Sequence, residues 1–108
     1  MLKKIECYIV PSQLEGLRDA LIEEGVEGMT VLQAKGFGRR SEMKKGKPMI
    51  EERLKIEIVI GEEIVDKVIT RIRRTAAAGK IGGGKLFVVP VEDALRFSTS
   101  EAGKSAIG

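Results

Sequence analysis

Apolar and charged residues alternate along RLKIEIVI, residues 53–60, with Leu54, Ile56, Ile58 and Ile60 on one face and Lys55 and Glu57 on the other. That period of two predicts a half-buried strand. IECYIV at 5–10, MTVLQA at 29–34 and KLFVVPV at 85–91 predict three more, the first stopped by Pro11 and the last marked as an end or edge strand by Pro90. Between the first two, Leu14, Leu17, Leu21 and Ile22 recur at helical spacing. SQLE supplies a capping box from Ser12 to Glu15, and Gly25 supplies the stop. A second helix is predicted from about Glu62 to Ala78, with Ile64, Val65, Val68, Ile69 and Ile72 as its stripe and Gly79 after it.

The order β-α-β-β-α-β is the ferredoxin-like pattern, an α+β fold with two helices on one face of an antiparallel sheet. One domain, residues 1–108, is expected from the length. The second sheet face is then uncovered, with Tyr8, Val31, Phe87 and Val89 in need of a partner, and oligomerisation is the simplest cover. GFGRRSEMKKGKPMIEE, between the middle strands, has little periodicity. A loop this long in a small domain is functional or a solvated, floppy hairpin tip. The segment from Ser98 onward is small and polar, and a partner is expected to order it.

Composition narrows the chemistry. Charged residues make up 32% and hydrophobic ones 43%, as in a globular domain, and aromatics are limited to Tyr8, Phe37, Phe87 and Phe97. The net charge of +3 permits anionic ligands without demanding nucleic acid. There is no His and a single Cys, Cys7, which excludes a catalytic zinc site, a Cys–His pair and an intrachain disulfide within one chain. Cys7 reads as a small buried hydrophobe. No apolar run approaches a membrane span and no signal peptide opens the chain, so a cytoplasmic location is expected. Glu62 and Glu63 suit a helix start and do not read as a catalytic pair, and no catalytic or metal-binding residue is expected.

Two glycine motifs carry candidate chemistry. In TAAAGKIGGGKLFVV, residues 75–89, Gly79, Gly84 and Lys85 begin a G-x-x-x-x-G-K-[ST] loop, but Leu86 replaces the Ser or Thr that holds magnesium. The order here is helix, loop, strand, the reverse of an ATPase loop. Gly82, Gly83 and Gly84, with Lys80 and Lys85, form either an anion nest or an ordinary turn. KGFG, residues 35–38, matches half of an RNA-recognition signature, K/R-G-F/Y-G/A-F-V-x-F/Y, and the fold order is also that of RNA modules. Arg39, Arg40, Ser41 and Glu42 then stand where stacking aromatics belong, which argues against nucleic acid. The two arginines offer forked donors to phosphate instead.

Together, KGFGRR and TAAAGKIGGGKLFVVPVEDALRFST resemble the PII signal-transduction family, as do KKIECYIVP, GVEGMTVLQAKGFGR and KIEIVI. The resemblance implies a regulatory homotrimer, not an enzyme, with sheets facing inward and adenine nucleotides in clefts between subunits. It implies that residues 36–53 form the T-loop that docks on a target, such as a membrane transporter or enzyme. Residues 79–85 would form the phosphate-wrapping B-loop, and 98–108 a tail, with Ser100 and Lys104 in a flap over the cleft. Thr30, Gly36, Phe37 and Gly38 would line the adenine and ribose, while Gly82, Gly83, Gly84, Lys85 and Arg39 would hold phosphates. Arg96 would reach in from the neighbouring subunit.

The chain departs from the nitrogen-regulatory pattern in three places. The T-loop is shorter and has no Tyr to be uridylylated. Arg40 replaces the Gln that helps hold magnesium and 2-oxoglutarate, so its guanidinium disfavours Mg²⁺ and supplies a counter-charge itself. Ser98 replaces the second Arg of an R-x-R pair and removes one phosphate arm. The expected ligand is therefore ADP or AMP, with ATP binding partly restored by Arg40. Arg40 and Arg53, with Lys44, Lys45 and Lys47, form a candidate pocket for a small anion such as bicarbonate, as in short-loop, carboxysome-associated members of the wider group. The alternative is a nitrogen-regulatory sensor of ATP and 2-oxoglutarate.

Overall fold

A computed structural model describes residues 1–77 and 84–108 of the chain. Its elements follow the predicted order: β1 (Leu2–Ile9), α1 (Leu14–Glu23), β2 (Thr30–Gly36), β3 (Met43–Lys44), β4 (Lys47–Pro48), β5 (Glu51–Gly61), α2 (Val65–Ala77) and β6 (Leu86–Val91). The main sheet is antiparallel in the order β2-β5-β1-β6. This is the ferredoxin-like arrangement, and Pro90 sits on edge strand β6, where a missing N–H costs least.

Alternation in β1 and β5 directs Ile5, Cys7, Ile9, Ile56, Ile58 and Ile60 toward the helices, where they pack with Leu17, Leu21, Val26, Val68 and Ile72. Ile5 and Val68 are fully buried. Leu14, Leu54, Ile64, Val65 and Ile69 border this core. The helices are also tied by Arg71, which donates to Glu23 at 2.6 Å and to Glu24 at 3.2 Å. Gly25 ends α1 with φ +89, a left-handed conformation that a Cβ would strain.

Several local expectations are corrected. Ser12 does not cap α1: Pro11–Gln13 form a 3-10 turn, and the Gln13 side chain accepts from Val10 N–H at 3.1 Å. The capping box fails because Pro11 presets a turn one step before the helix. Ile22 is 62% exposed, and Ala20 takes the buried position, since residue 22 lies off the Leu17–Leu21 line. Val31 pairs with Ile56 and so belongs to the helix face, while Leu32, paired with Lys55, belongs to the open one.

The long segment is not structureless: its ends continue the main sheet and its middle forms a separate hairpin. β1 pairs with β5 only from Leu54 onward, whereas β2 continues to pair through Gly36 with Glu51. A two-stranded ribbon therefore runs past the end of β1, and β3 and β4 form a small hairpin beyond it. Lys45 and Gly46 turn that hairpin with φ +52 and +76, the signs of the primed turn that matches strand twist. Met49 N–H donates to Glu42 O at 2.7 Å and extends the pairing.

The tail is ordered by its own chain rather than by a partner. Leu95 bridges to Ala102, Gly103 N–H donates to Ala94 O at 2.8 Å, and Gly103–Ala106 form a 3-10 turn.

Candidate functional site

Antiparallel pairing decides which candidate residues meet. The ends of β1 and β2 and the starts of β5 and β6 share one end of the sheet. This end holds Gly36, Phe37, Gly38, Arg39, Arg40 and Arg53, and also Gly84 and Lys85 just before β6. Gly84 lies close to β1: a Cβ there would sit 3.3 Å from Tyr8 O. Gly82, Gly83 and Lys80 lie outside the described residues, as does Gly79.

After Gly36 the chain makes a pinned turn. Ser41 N–H donates to Gly38 O at 3.1 Å, and Ser41 Oγ accepts from Gly38 N–H at 2.9 Å. Arg39 and Arg40 occupy the two corners and are exposed, so two guanidinium groups are presented from a fixed backbone. Ser41 is the residue that motif reading passes over. The signal was its place three residues after Gly38, the spacing of a side-chain-closed turn. Phe37 is 66% exposed beside the turn. Arg53 is half-buried and committed locally, donating to Glu52 O at 2.7 Å and to the Glu51 carboxylate at 3.3 Å. An anion there would have to displace Glu51.

Thr30 lies elsewhere, at the start of β2 opposite Glu57. It lines a cleft of about 670 Å³ between the open sheet face and the tail, bordered by Lys4, Val59, Val89 and Ala106–Gly108. Arg96 and Ser98 follow the far end of β6, where Val91 pairs with Leu2. A six-residue strand separates them from Gly84 and Lys85, roughly 20 Å at the usual rise. The candidate residues thus fall into two groups at opposite ends of the sheet.

The open face itself is charged at its centre. Lys55 Nζ lies 2.9 Å from Glu6 and 3.2 Å from Glu57, and Lys4 lies 3.7 Å from Glu6. Hydrogen bonding to Lys55 holds the Glu6 carboxyl below its usual range, and Glu6 in turn raises the Lys55 ammonium. Phe87, half exposed, and Leu32 flank these charges.

The family model described as nitrogen regulatory protein P-II matches residues 2–101. The chain belongs to the PII family. It is 46% identical over 112 residues to a nitrogen regulatory protein P-II of Bradyrhizobium diazoefficiens, covering 98% of this chain and all of that one. It is 43% identical, with the same coverage, to nitrogen regulatory protein P-II 1 of Escherichia coli K12. An Arabidopsis thaliana PII crystal structure, described as bound to citrate, superposes with a TM-score of 0.81 at 34% identity, covering 97% of this chain and 91% of that one. PII proteins are regulatory signal transducers and not enzymes. They act as trimers that bind small-molecule effectors such as adenine nucleotides and interact with target proteins. Among the described residues of this PII chain, no helix is long and apolar enough to cross a membrane, and no cluster of His, Cys, Asp and Glu could hold a metal ion.

Proposed function

We propose that this PII protein is a trimeric sensor that binds ADP or AMP, and ATP more weakly, in clefts between subunits and signals to a target through residues 36–53. The observation that carries the reading is the separation of the two groups: Lys85 and the Arg39–Arg40 turn occupy one end of the sheet and Arg96 the other. A phosphate chain held by Gly82, Gly83, Gly84, Lys85 and Arg39 meets Arg96 only when Arg96 belongs to a neighbouring copy. In this reading 79–85 is the B-loop, 98–108 is the tail, Gly36, Phe37 and Gly38 face the adenosine, and Thr30, at the Arg96 end of the sheet, joins them only from the neighbouring copy.

Ser98 leaves Arg96 as the remaining arm of its pair. A charged hydrogen bond is worth about 1.5–3 kcal/mol, so the loss weakens triphosphate binding by roughly one to two decades. The Arg39–Arg40 corner offers a place for a small anion such as bicarbonate, with Arg53 joining it only after leaving Glu51. The Arabidopsis PII structure is described as bound to citrate, itself an anion, which supports a small-anion reading. A cytoplasmic setting and a transporter or enzyme target complete the reading.

The relatives' shared name, nitrogen regulatory protein P-II, favours a second reading, in which the chain senses ATP and 2-oxoglutarate. Calorimetric titration with ATP, ADP and AMP, each repeated with Mg²⁺ plus 2-oxoglutarate and with bicarbonate, separates the two. Tight ADP or AMP binding that responds only to bicarbonate supports the first. Tightening of ATP by Mg²⁺ and 2-oxoglutarate establishes the second and overturns the role given to Arg40.

A further inference from the structure

Residues 101–108 cross the far end of the sheet as a strap, from Asp93 on the β6 side to Gly28 before β2. Lys104 pairs with Glu63, and Gly103 N–H also donates to Asp93 Oδ1 at 3.2 Å. The backbone of Gly108 approaches to 3.2 Å from where a Cβ on Gly28 would lie. The strap's chief polar anchor is Arg96. Its guanidinium donates to Ala106 O at 3.3 Å and to Gly108 O, with the Glu101 carboxylate 3.5 Å away. The side chain needed for phosphate is thus already occupied within its own subunit.

We infer that this strap is an intramolecular competitor: it holds the Arg96 guanidinium until an anionic ligand displaces it. The inference rests on the nucleotide reading above and adds its regulation. Ala106 O among these acceptors is a neutral amide carbonyl, and a phosphate oxygen is a stronger acceptor for a guanidinium. The exchange gains a stronger acceptor at the Ala106 bond, trades like for like at Glu101 and Gly108, and is offset by releasing the strap. Ala106–Gly108 also wall the 670 Å³ cleft beside Thr30, a volume within the range of small-molecule sites. A ligand entering that cleft meets the same segment that restrains Arg96. Ligand binding and strap release are then one event, and the released strap is a change that a target protein can read.

The test labels an exposed strap position, Ser105→Cys, with a spin probe in the full chain, where Cys7 is buried and resists labelling. ADP and ATP are titrated while label mobility and binding heat are followed together. The expected result is conversion from an immobile to a mobile label, saturating with the binding isotherm. Lys104→Ala removes the Glu63 anchor without touching Arg96. It is expected to tighten nucleotide binding about twofold to fivefold, the scale of an exposed ion pair. A chain lacking residues 106–108 should tighten at least as much. Saturating nucleotide with an immobile label, or unchanged affinity in both variants, overturns the strap proposal and leaves the nucleotide site standing. No binding by the intact chain or by either variant overturns the nucleotide reading, and this proposal with it.

Discussion

Individual side chains here act through what surrounds them. Cys7 is buried under the helices, and burial pushes its thiol up to about 11. The thiol is the weak nucleophile and the thiolate the strong one, so a native Cys7 is inert. Iodoacetamide at pH 8 is expected to leave the folded protein unmodified and to label it fully in denaturant; comparable labelling in both states would remove Cys7 from the core. Ser98 offers the opposite case, a position where the missing side chain matters. It is exposed and two residues from Arg96, so Ser98→Arg adds a guanidinium without disturbing packing. In the proposed site it should tighten ATP by about one to two decades and AMP much less, because the added donor reaches the outer phosphates. Equal gains for ATP and AMP in calorimetry would place residue 98 away from the phosphate chain.

At the scale of elements, the strands and helices were legible because each has one buried face. Ile56, Ile58 and Ile60 announce β5, and Val68 and Ile72 announce α2, through period alone. The hairpin was not legible. Met43, Lys44, Lys47 and Pro48 bury no shared face, so no periodicity marks them; the turn pair Lys45–Gly46 was the available signal. The pinned Arg39–Arg40 turn was half legible: its glycines and arginines stand out, but Ser41 acts through one short hydrogen bond that composition does not reveal. The strap was missed because its anchors combine main-chain groups, such as Ala106 O and Gly103 N–H, with side-chain pairs far apart in sequence, such as Lys104 with Glu63, and neither has a local sequence signature. Gly46→Val tests the hairpin as an independent element. A branched side chain at φ +76 costs on the order of 1–3 kcal/mol, enough to open two short strands. Hydrogen exchange should show loss of protection at Met49 N–H, with the main sheet and the melting temperature unchanged. A lowered melting temperature would mean that the hairpin supports the core.

For the whole molecule, the open sheet face sets the terms of assembly. It presents Lys4, Glu6, Lys55 and Glu57, two charges of each sign, among Tyr8, Leu32, Val59, Phe87 and Val89. In a trimer with sheets inward these charges leave water, and each must be paired to do so at tolerable cost. Lys55 is the hub that pairs both glutamates. Its removal by Lys55→Met keeps the aliphatic volume and leaves Glu6 and Glu57 with Lys4 alone. The pH dependence then distinguishes the two chains by sign. Glu6 is lowered in the native protein, so its contribution is present above the ordinary carboxylate pKa and is lost as pH falls through the native value. Lys55 is raised, so its contribution is full below the ordinary lysine pKa and is lost as pH rises through its native value. The wild-type fold is therefore expected to be level across neutral pH and to lose this contribution in acid below the ordinary carboxylate range, and assembly through this face weakens with it. In Lys55→Met, Glu6 keeps only Lys4, and with its main hydrogen-bond donor gone burial pushes the Glu6 carboxyl up, so that protonation relieves the penalty. Assembly of that variant should be weaker at pH 7 and should strengthen toward about pH 5, as followed by sedimentation equilibrium. If the variant shows the wild-type acid limb, the Lys55 network lies outside the subunit interface.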